Sequence, residues 1–473
     1  MSNMNTEKYK PTIGLEIHAE LKTLTKMFSS SKNDPDEVRP NANVHPIDLA
    51  HPGTLPTINK KAVEHVIRVG LSLGGEITNF TEFDRKNYFY PDIPKGYQIS
   101  QYAYPIVSGG KLNGIDLTRI HLEEDTGLSK HDRGDFSLVD FNRAGVPLME
   151  LVTEPVIHSA KEAVEFAKQF QILLRCLGAG DANMEKGEMR IEANISISDT
   201  DKFGTKVEVK NLNSFRVVEK AIQYEIERMT KLHESGRGDE IVQETRGWDE
   251  NGGRTFSQRK KESSDDYRYF PEPDLPKMNL HEVFDLKKIK SELPELPWER
   301  KERLISDFGI AEMAADIFVV NEDFSKFFDN VVDGKNSEKD FIKTAANYIT
   351  SDLVALMKDG QNFPDAENFK KLIEMILKNE ISSRGAKDIL AIMVSEGGDP
   401  EKIADEKGLK QQSDTGAIEA IVDQIISENP AVFEEFKSGK EASIQFLIGQ
   451  GMKLSKGSAN PQILREMFLG KIK

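Results

Sequence analysis

The chain reads as an α+β protein. A mixed sheet with helices forms an N-terminal cradle domain with a polar sheet face, followed by an all-α middle domain and a small helical tail domain. Three observations carry that expectation. Over roughly the first 280 residues, short apolar segments alternate with polar ones and are broken by Gly, Pro and Asn, the period-2 pattern of strands with one wet face. Two Pro-punctuated stretches, Phe270-Pro271-Glu272-Pro273-Asp274-Leu275-Pro276 and Leu293-Pro294-Glu295-Leu296-Pro297, then mark a boundary. Beyond them the apolar spacing is almost wholly helical.

Taken in order, residues 12–22 form the clearest strand. Ile13, Leu15, Ile17, Ala19 and Leu21 share one face, while Gly14, Glu16, His18, Glu20 and Lys22 share the other. Residues 160–176 carry apolar side chains at helical spacing. Residues 188–196 alternate again, with Met189, Ile191, Ala193 and Ile195 inward and Arg190, Glu192, Asn194 and Ser196 outward. Val207 and Val209 extend the pattern through 206–210, and residues 215–232 form a second amphipathic helix. In the helical half, Phe369, Leu372, Ile373, Ile376 and Leu377 make one stripe. Ile418, Ile421, Val422, Ile425 and Ile426 make another, opened by Ser413 or Asp414 as N-cap and stopped at Asn429-Pro430. The break Gly397-Gly398-Asp399-Pro400 separates the two groups, which places domains at 1–292, 293–405 and 406–473.

The 473 residues suit two or three domains of about 100–200 residues each. With 38% apolar and 30% charged residues the chain has the balance of a globular protein. No apolar run is long enough to span a bilayer, and the polar N-terminus resembles neither a signal nor a transit peptide, so a cytoplasmic protein without membrane contact is expected. The one cysteine, Cys176, excludes an intramolecular disulfide framework and a Cys-based zinc site, and its helical setting predicts a buried thiol. A net charge of −16 argues against general nucleic-acid affinity, yet from Phe436 onward seven basic residues face two acidic ones.

Several groups of residues could carry chemistry. Glu16, His18 and Glu20 project from one strand face, an economical way to aim carboxylates and an imidazole at a hard cation such as Mg²⁺ or Mn²⁺. His121-Leu122-Glu123-Glu124-Asp125 and Glu150 could complete such a site. Strand parity pairs His121 with Glu123 and leaves Glu124 at the strand end. Asp84-Arg85-Lys86-Asn87-Tyr88-Phe89-Tyr90-Pro91-Asp92 interleaves rings with charge, as a pocket for phosphate and a stacked ring would. Lys206, Lys210, Asn211, Asn213 and Ser214 lead from a strand into a helix and could present N–H groups to an anion. Ser263-Ser264-Asp265-Asp266-Tyr267-Arg268-Tyr269-Phe270 is a third such mixture. No P-loop, nucleophile elbow or Cys–His nucleophile pattern is present.

These segments resemble one family. Ile13 to Leu21, Asp84 to Asp92, Asp140-Phe141-Asn142-Arg143, Lys210 to Phe215, Gln243-Glu244-Thr245-Arg246 and Asp265 to Pro273 are similar, in order, to the B subunit (GatB) of the tRNA-dependent amidotransferases. So is the C-terminal run Phe446-Leu447-Ile448-Gly449-Gln450 with Lys456-Gly457, Ala459-Asn460 and Pro461. The likeness spans essentially the whole chain. It implies an ATP-dependent carbon–nitrogen ligase with glutamine as amido donor. In a heterotrimer with an amidase, GatA, and a small third chain, GatC, such an enzyme converts misacylated Glu-tRNA(Gln) or Asp-tRNA(Asn) to the correct amide. A non-discriminating synthetase would supply the substrate. The alternative is a tRNA-binding scaffold without chemistry.

The resemblance also implies residue roles. Glu16, His18, Glu124 and Glu150 become metal candidates and, with Lys86, catalytic ones; here the family likeness favours Glu124, where strand parity favours Glu123. Arg190, Lys206 and Lys210 become phosphate or carboxylate contacts, and Asp84, Lys86, Tyr88 and Tyr90 line the pocket. ATP and Mg²⁺ are implied. The structural zinc of many members is not, because the segments at 27–31 and 44–53 hold Ser, His45 and His51 in place of thiols. Lys453, Lys456 and Arg465 in the basic tail become tRNA contacts, with Gly449, Gly451 and Gly457 permitting close approach.

Overall fold

The computed structural model describes residues 8–130, 134–260, 267–335, 337–357, 361–411, 415–455 and 459–472, and the side chains of all of these except 211, 259, 260 and 415–417. It divides into two compact bodies, Met1–Pro297 and Trp298–Lys473. The first is built from β1 (Lys10–Glu20), α1 (Lys60–Ser72), β2 (Asp84–Asn87), β3 (Tyr97–Ser100), β4 (Ile115–Glu124), β5 (Pro147–Thr153) and α2 (Ala160–Cys176). These are followed by β6 (Met189–Ser198), β7 (Val207–Leu212), α3 (Phe215–Glu234), β8 (Glu244–Asp249) and β9 (Arg254–Lys260), with shorter segments between. The main sheet runs β9-β8-β7-β6-β1-β5-β4 and continues into the short strands Val107–Ser108 and Glu76–Ile77. Neighbours are antiparallel except β7 and β8, which are parallel and joined through α3.

The alternation read from the sequence sorts the two faces. Ile13, Ile17, Ile120, Leu151, Ile191, Ile195 and Val209 are fully buried on one side, against Val66 of α1, Phe166 and Phe170 of α2 and Ile222 of α3. Each such side chain contributes about 1.5–3 kcal/mol by leaving water, and this is what fixes the sheet on its helical layer. Local signals start the helices. Asn59 Oδ1 accepts from the Lys61 and Ala62 amides at the head of α1, and Ser159 Oγ accepts from Glu162 N at the head of α2. Glu162 in turn accepts from His158 N. Gly70 lets α1 settle on the sheet, since a Cβ there would lie 2.5 Å from a Val107 methyl. Cys176, expected to be buried, is only half so; it lies in the last turn of α2 with Sγ donating to Glu295 O.

The other face of the sheet stays polar. A smaller three-stranded sheet of β2, β3 and Phe270–Pro271 is held against β4 on that side. The loop between β1 and α1 is tied down by Lys26, which is fully buried and donates to Asn43 O, Asp48 Oδ2 and Phe141 O.

The second body is helical, with one core running from Leu304 to Ala404 and another from Ile418 to Phe468. Phe369, Leu372 and Ile373 are fully buried in the first, and Ile418, Val422 and Ile425 in the second. Ser413 and Asp414 lie outside the described residues. The stretch 293–297, expected to open the helical domain, belongs to the first body because Leu293 and Leu296 pack into its core. Gly451 also has another role than expected. A Cβ there would meet Leu464 at 2.8 Å, so it serves the contact between helices Glu441–Leu454 and Pro461–Gly470.

His65 of α1 offers a test of this packing. Its Nε2 meets Lys22 O at 3.0 Å and its Nδ1 is buried without a partner, so the ring is neutral in the fold. Burial first, and then the nearby Lys61, push its pKa from 6.5 down to about 4. The unfolded chain therefore binds the extra proton between these values. The stabilisation is complete above pH 6.5 and is lost as pH falls towards 4, by about 2–3 kcal/mol. Urea unfolding of His65→Gln, which keeps an N–H donor, is expected to lack that part of the acid dependence.

Candidate active site

The register of the sheet builds the site. His121 of β4, Glu150 of β5, His18 of β1 and Arg190 of β6 stand in one row across four strands. The next row holds Arg119, Val152, Glu16 and Glu192. The polar members of both rows line a cavity of about 590 Å³ that opens between the main sheet and the β2–β3 layer. Lys86, Tyr88 and Tyr90 reach it from β2 and the loop beyond, and Tyr267 and Tyr269 from the segment before Phe270–Pro271.

Two groups of donors converge within it. In one, His18 Nε2 lies 3.3 Å from Glu150 and 3.6 Å from Glu123, and His121 Nε2 lies 3.2 Å from Glu150. In the other, ligand atoms of Glu16, Glu192 and Glu208 come within 4.8 Å of one another. Lys210 sits 2.8 Å from Glu192 and 3.3 Å from Glu208, Thr245 donates to Glu208 at 2.7 Å, and Asn194 donates to Glu16 at 2.8 Å. Such charge out of water is tolerable only when paired, and the titration of these groups follows. Burial opposes the charge on His18, but the carboxylate of Glu150 outweighs it and raises its pKa to about 9. Burial likewise pushes Glu150 up, yet His121 and His18 hold it well below the usual carboxylate range. Glu16 is pushed up by burial and by the charges of Glu150, Glu192 and Glu208.

Oxygen-rich donors with one or two imidazoles suit a hard divalent cation. The fit is supported by two buried atoms without hydrogen-bond partners, His121 Nδ1 beside the first group and Asn194 Oδ1 beside the second.

The expected residues divide accordingly. Glu16, His18 and Glu150 are in the cavity wall, as are Lys86, Tyr88, Tyr90, Arg190 and Lys210. Glu124 is not. It follows Glu123 at the end of β4 and points away from the cavity, pairing with buried Lys95 and accepting from Ile99 N. Glu123 takes the place that parity expects of it, held by Ser100 Oγ at 2.9 Å. Asp84 is buried and lies outside the cavity lining, where its carboxylate accepts from Tyr102 N. Lys206 is exposed before β7 and does not line the cavity. Ser214, expected to leave N–H groups for an anion, caps α3 itself by accepting from Val217 N.

Arg190 and Lys210, expected to meet phosphate, already have carboxylate partners. Arg190 forks onto Asp125 at 2.8 and 3.0 Å. Glu192 and Glu208 are not singled out by the sequence as ligands. Their signal is the outward parity of Glu192 and of Glu208 between two valines, but only the pairing of β6 with β1 and β7 brings them to Glu16. In the second body, Lys453 and Arg465 are exposed on helices Glu441–Leu454 and Pro461–Gly470, and Lys456 lies outside the described residues.

Manganese binding to the full chain distinguishes the adjacent glutamates. Glu123→Gln and Glu150→Gln are expected to lower Mn²⁺ affinity at least about 10-fold. Glu124→Gln is expected to leave it unchanged while costing about 3 kcal/mol of stability, because Lys95 loses its buried partner.

With this geometry in place, the comparison with known proteins is direct. A profile of the GatB/GatE catalytic domain matches residues 11–284, and a GatB domain profile matches 326–472. The B subunit of the aspartyl/glutamyl-tRNA(Asn/Gln) amidotransferase of a Picosynechococcus species is 41% identical over 496 residues, covering 98% of each chain. The protein of the same name from Bdellovibrio bacteriovorus is 43% identical, covering 99% of this chain and all of its own. The B subunit of the chloroplastic/mitochondrial glutamyl-tRNA(Gln) amidotransferase of Oryza sativa is 42% identical, covering this whole chain and 89% of its own. Such likeness over nearly its entire length places the chain in the GatB family, the B subunits of the aspartyl/glutamyl-tRNA amidotransferases.

Proposed function

We propose that this chain binds a misacylated tRNA, Glu-tRNA(Gln) or Asp-tRNA(Asn), and phosphorylates its side-chain carboxylate with ATP and Mg²⁺, so that ammonia can form the amide. The amidase GatA and the small chain GatC are the proposed partners, with glutamine as the ammonia source, a non-discriminating synthetase supplying the substrate and the cytoplasm as the setting. The observation that carries the reading is the pair of donor clusters on one sheet face, His18-Glu123-Glu150 and Glu16-Glu192-Glu208, in one cavity with Lys86, Arg190 and Lys210.

The chemistry explains why such a cavity is needed. A carboxylate resists ammonia because oxide would have to leave. One carboxylate oxygen therefore attacks the terminal phosphorus of ATP, and the bond to ADP breaks. Ammonia then attacks the acyl carbon of the resulting acyl phosphate, and inorganic phosphate departs. Phosphoryl transfer asks the protein chiefly for positioning and for compensation of charge on the phosphate oxygens. Lys86 supplies a fixed cation: burial opposes its charge, but Glu123 and other neighbours hold it protonated, well above the ordinary lysine range. Divalent cations held by the two clusters would supply the remaining positive charge. The Arg190–Asp125 fork braces the wall rather than meeting substrate.

The test is an assembled complex given mischarged tRNA, ATP and ammonium chloride. ADP and the amide are expected to form together, and His18→Ala with Glu150→Ala is expected to abolish both while tRNA binding persists. Unchanged amide formation in that variant would leave only a binding scaffold. In the tail, Lys453→Glu with Arg465→Glu is expected to weaken tRNA binding and flatten its dependence on salt, measured by filter binding across ionic strengths.

A further inference from the structure

We propose that Arg119 docks the reacting oxyanion of the substrate, a phosphate oxygen of the nucleotide or the carboxylate of the esterified amino acid. The inference rests on the phosphoryl-transfer reading of the cavity. Five Lys and Arg side chains line that cavity, and four of them are engaged. Arg190 forks onto Asp125. Arg143 donates to the Thr126 and Gly127 carbonyls at 3.0 and 2.9 Å. Lys210 bridges Glu192 and Glu208. Lys86 lies 5.8 and 5.2 Å from the ring centres of Tyr88 and Tyr267.

Arg119 differs. Among the described residues its side chain makes no hydrogen bond and no ion pair, and its Nε is buried without a partner. A guanidinium offers five donors in a planar fork, and leaving one of them dry and unmatched is costly. The sheet withholds a carboxylate from it. On one side Arg119 faces Val152, which separates it from Glu16 in the same row, and on the other it faces Ser108. The acids near that end of β4 are occupied elsewhere, Glu154 by Thr118 and Asp116 by Lys111. In a cavity rich in carboxylates, a cation kept apart from all of them has its fork free for an oxyanion that arrives from outside. Arg is suited to that task because it meets carboxylate or phosphate through two parallel bonds.

The experiment uses the full chain assembled with its partner chains, ammonium chloride as nitrogen donor, ATP and mischarged tRNA. Arg119→Ala is expected to lower kcat/KM on the order of 100-fold, with Arg119→Lys in between. Free guanidinium at millimolar concentration is expected to restore part of the Arg119→Ala loss, which a merely structural defect would not allow. A raised KM for ATP identifies the docked group as phosphate, and a raised KM for the aminoacyl-tRNA identifies it as carboxylate. Rates within about threefold of wild type in both variants, or a loss that guanidinium does not relieve, would overturn the proposal. A wild-type complex that consumes no ATP defeats the reading of the cavity itself, and that is seen before any substitution is made.

Discussion

The register of β1 against β5 and β6 is the constraint on which the site depends. Because side chains alternate along a strand, one choice of pairing puts Ile13, Leu15, Ile17 and Ala19 into the helical layer and Glu16 and His18 into the cavity. A slip by a single residue would exchange the two sets, placing charge in the core and aliphatic side chains in the cavity. The apolar burial that stabilises the sheet therefore also fixes the cavity row. That row is fixed further by its own chemistry, since Glu150 stands between His121 and His18 across neighbouring strands.

How far the sequence carries follows from this. The faces of β1 and β6 are legible because their alternation is uninterrupted, and so, by parity alone, is the turn of Glu123 rather than Glu124 towards the cavity. The family likeness points to Glu124 as ligand, whereas Glu123 is the one of the two that lines the cavity. What is not legible depends on pairing between distant segments. Glu192 and Glu208 join Glu16 only through two strand pairings, one of which contains a bulge between Ile191 and Ala193. Tyr102 and Tyr269, stacked with ring centres 4.4 Å apart at the cavity wall, are separated by more than a third of the chain. Cations pose the opposite difficulty: Arg190 and Lys210 look like phosphate contacts in sequence, but Asp125, Glu192 and Glu208 are invisible there as their partners.

Electrostatic balance ties these points together. Six carboxylates, Glu16, Glu123, Asp125, Glu150, Glu192 and Glu208, line the cavity against five Lys and Arg. Of those six, Glu16 is pushed up by burial and like charges, while Glu150 and Asp125 are held down by His121 and by Arg190 after burial is overcome. Pairs such as Arg190–Asp125 are internally neutral, so they stiffen the wall without attracting an anion. Neither they nor the acids that remain would welcome a nucleotide. The carboxylates of the Glu16 group repel one another, so on the proposed reading a divalent cation held there would relieve that repulsion and offset charge on a polyphosphate.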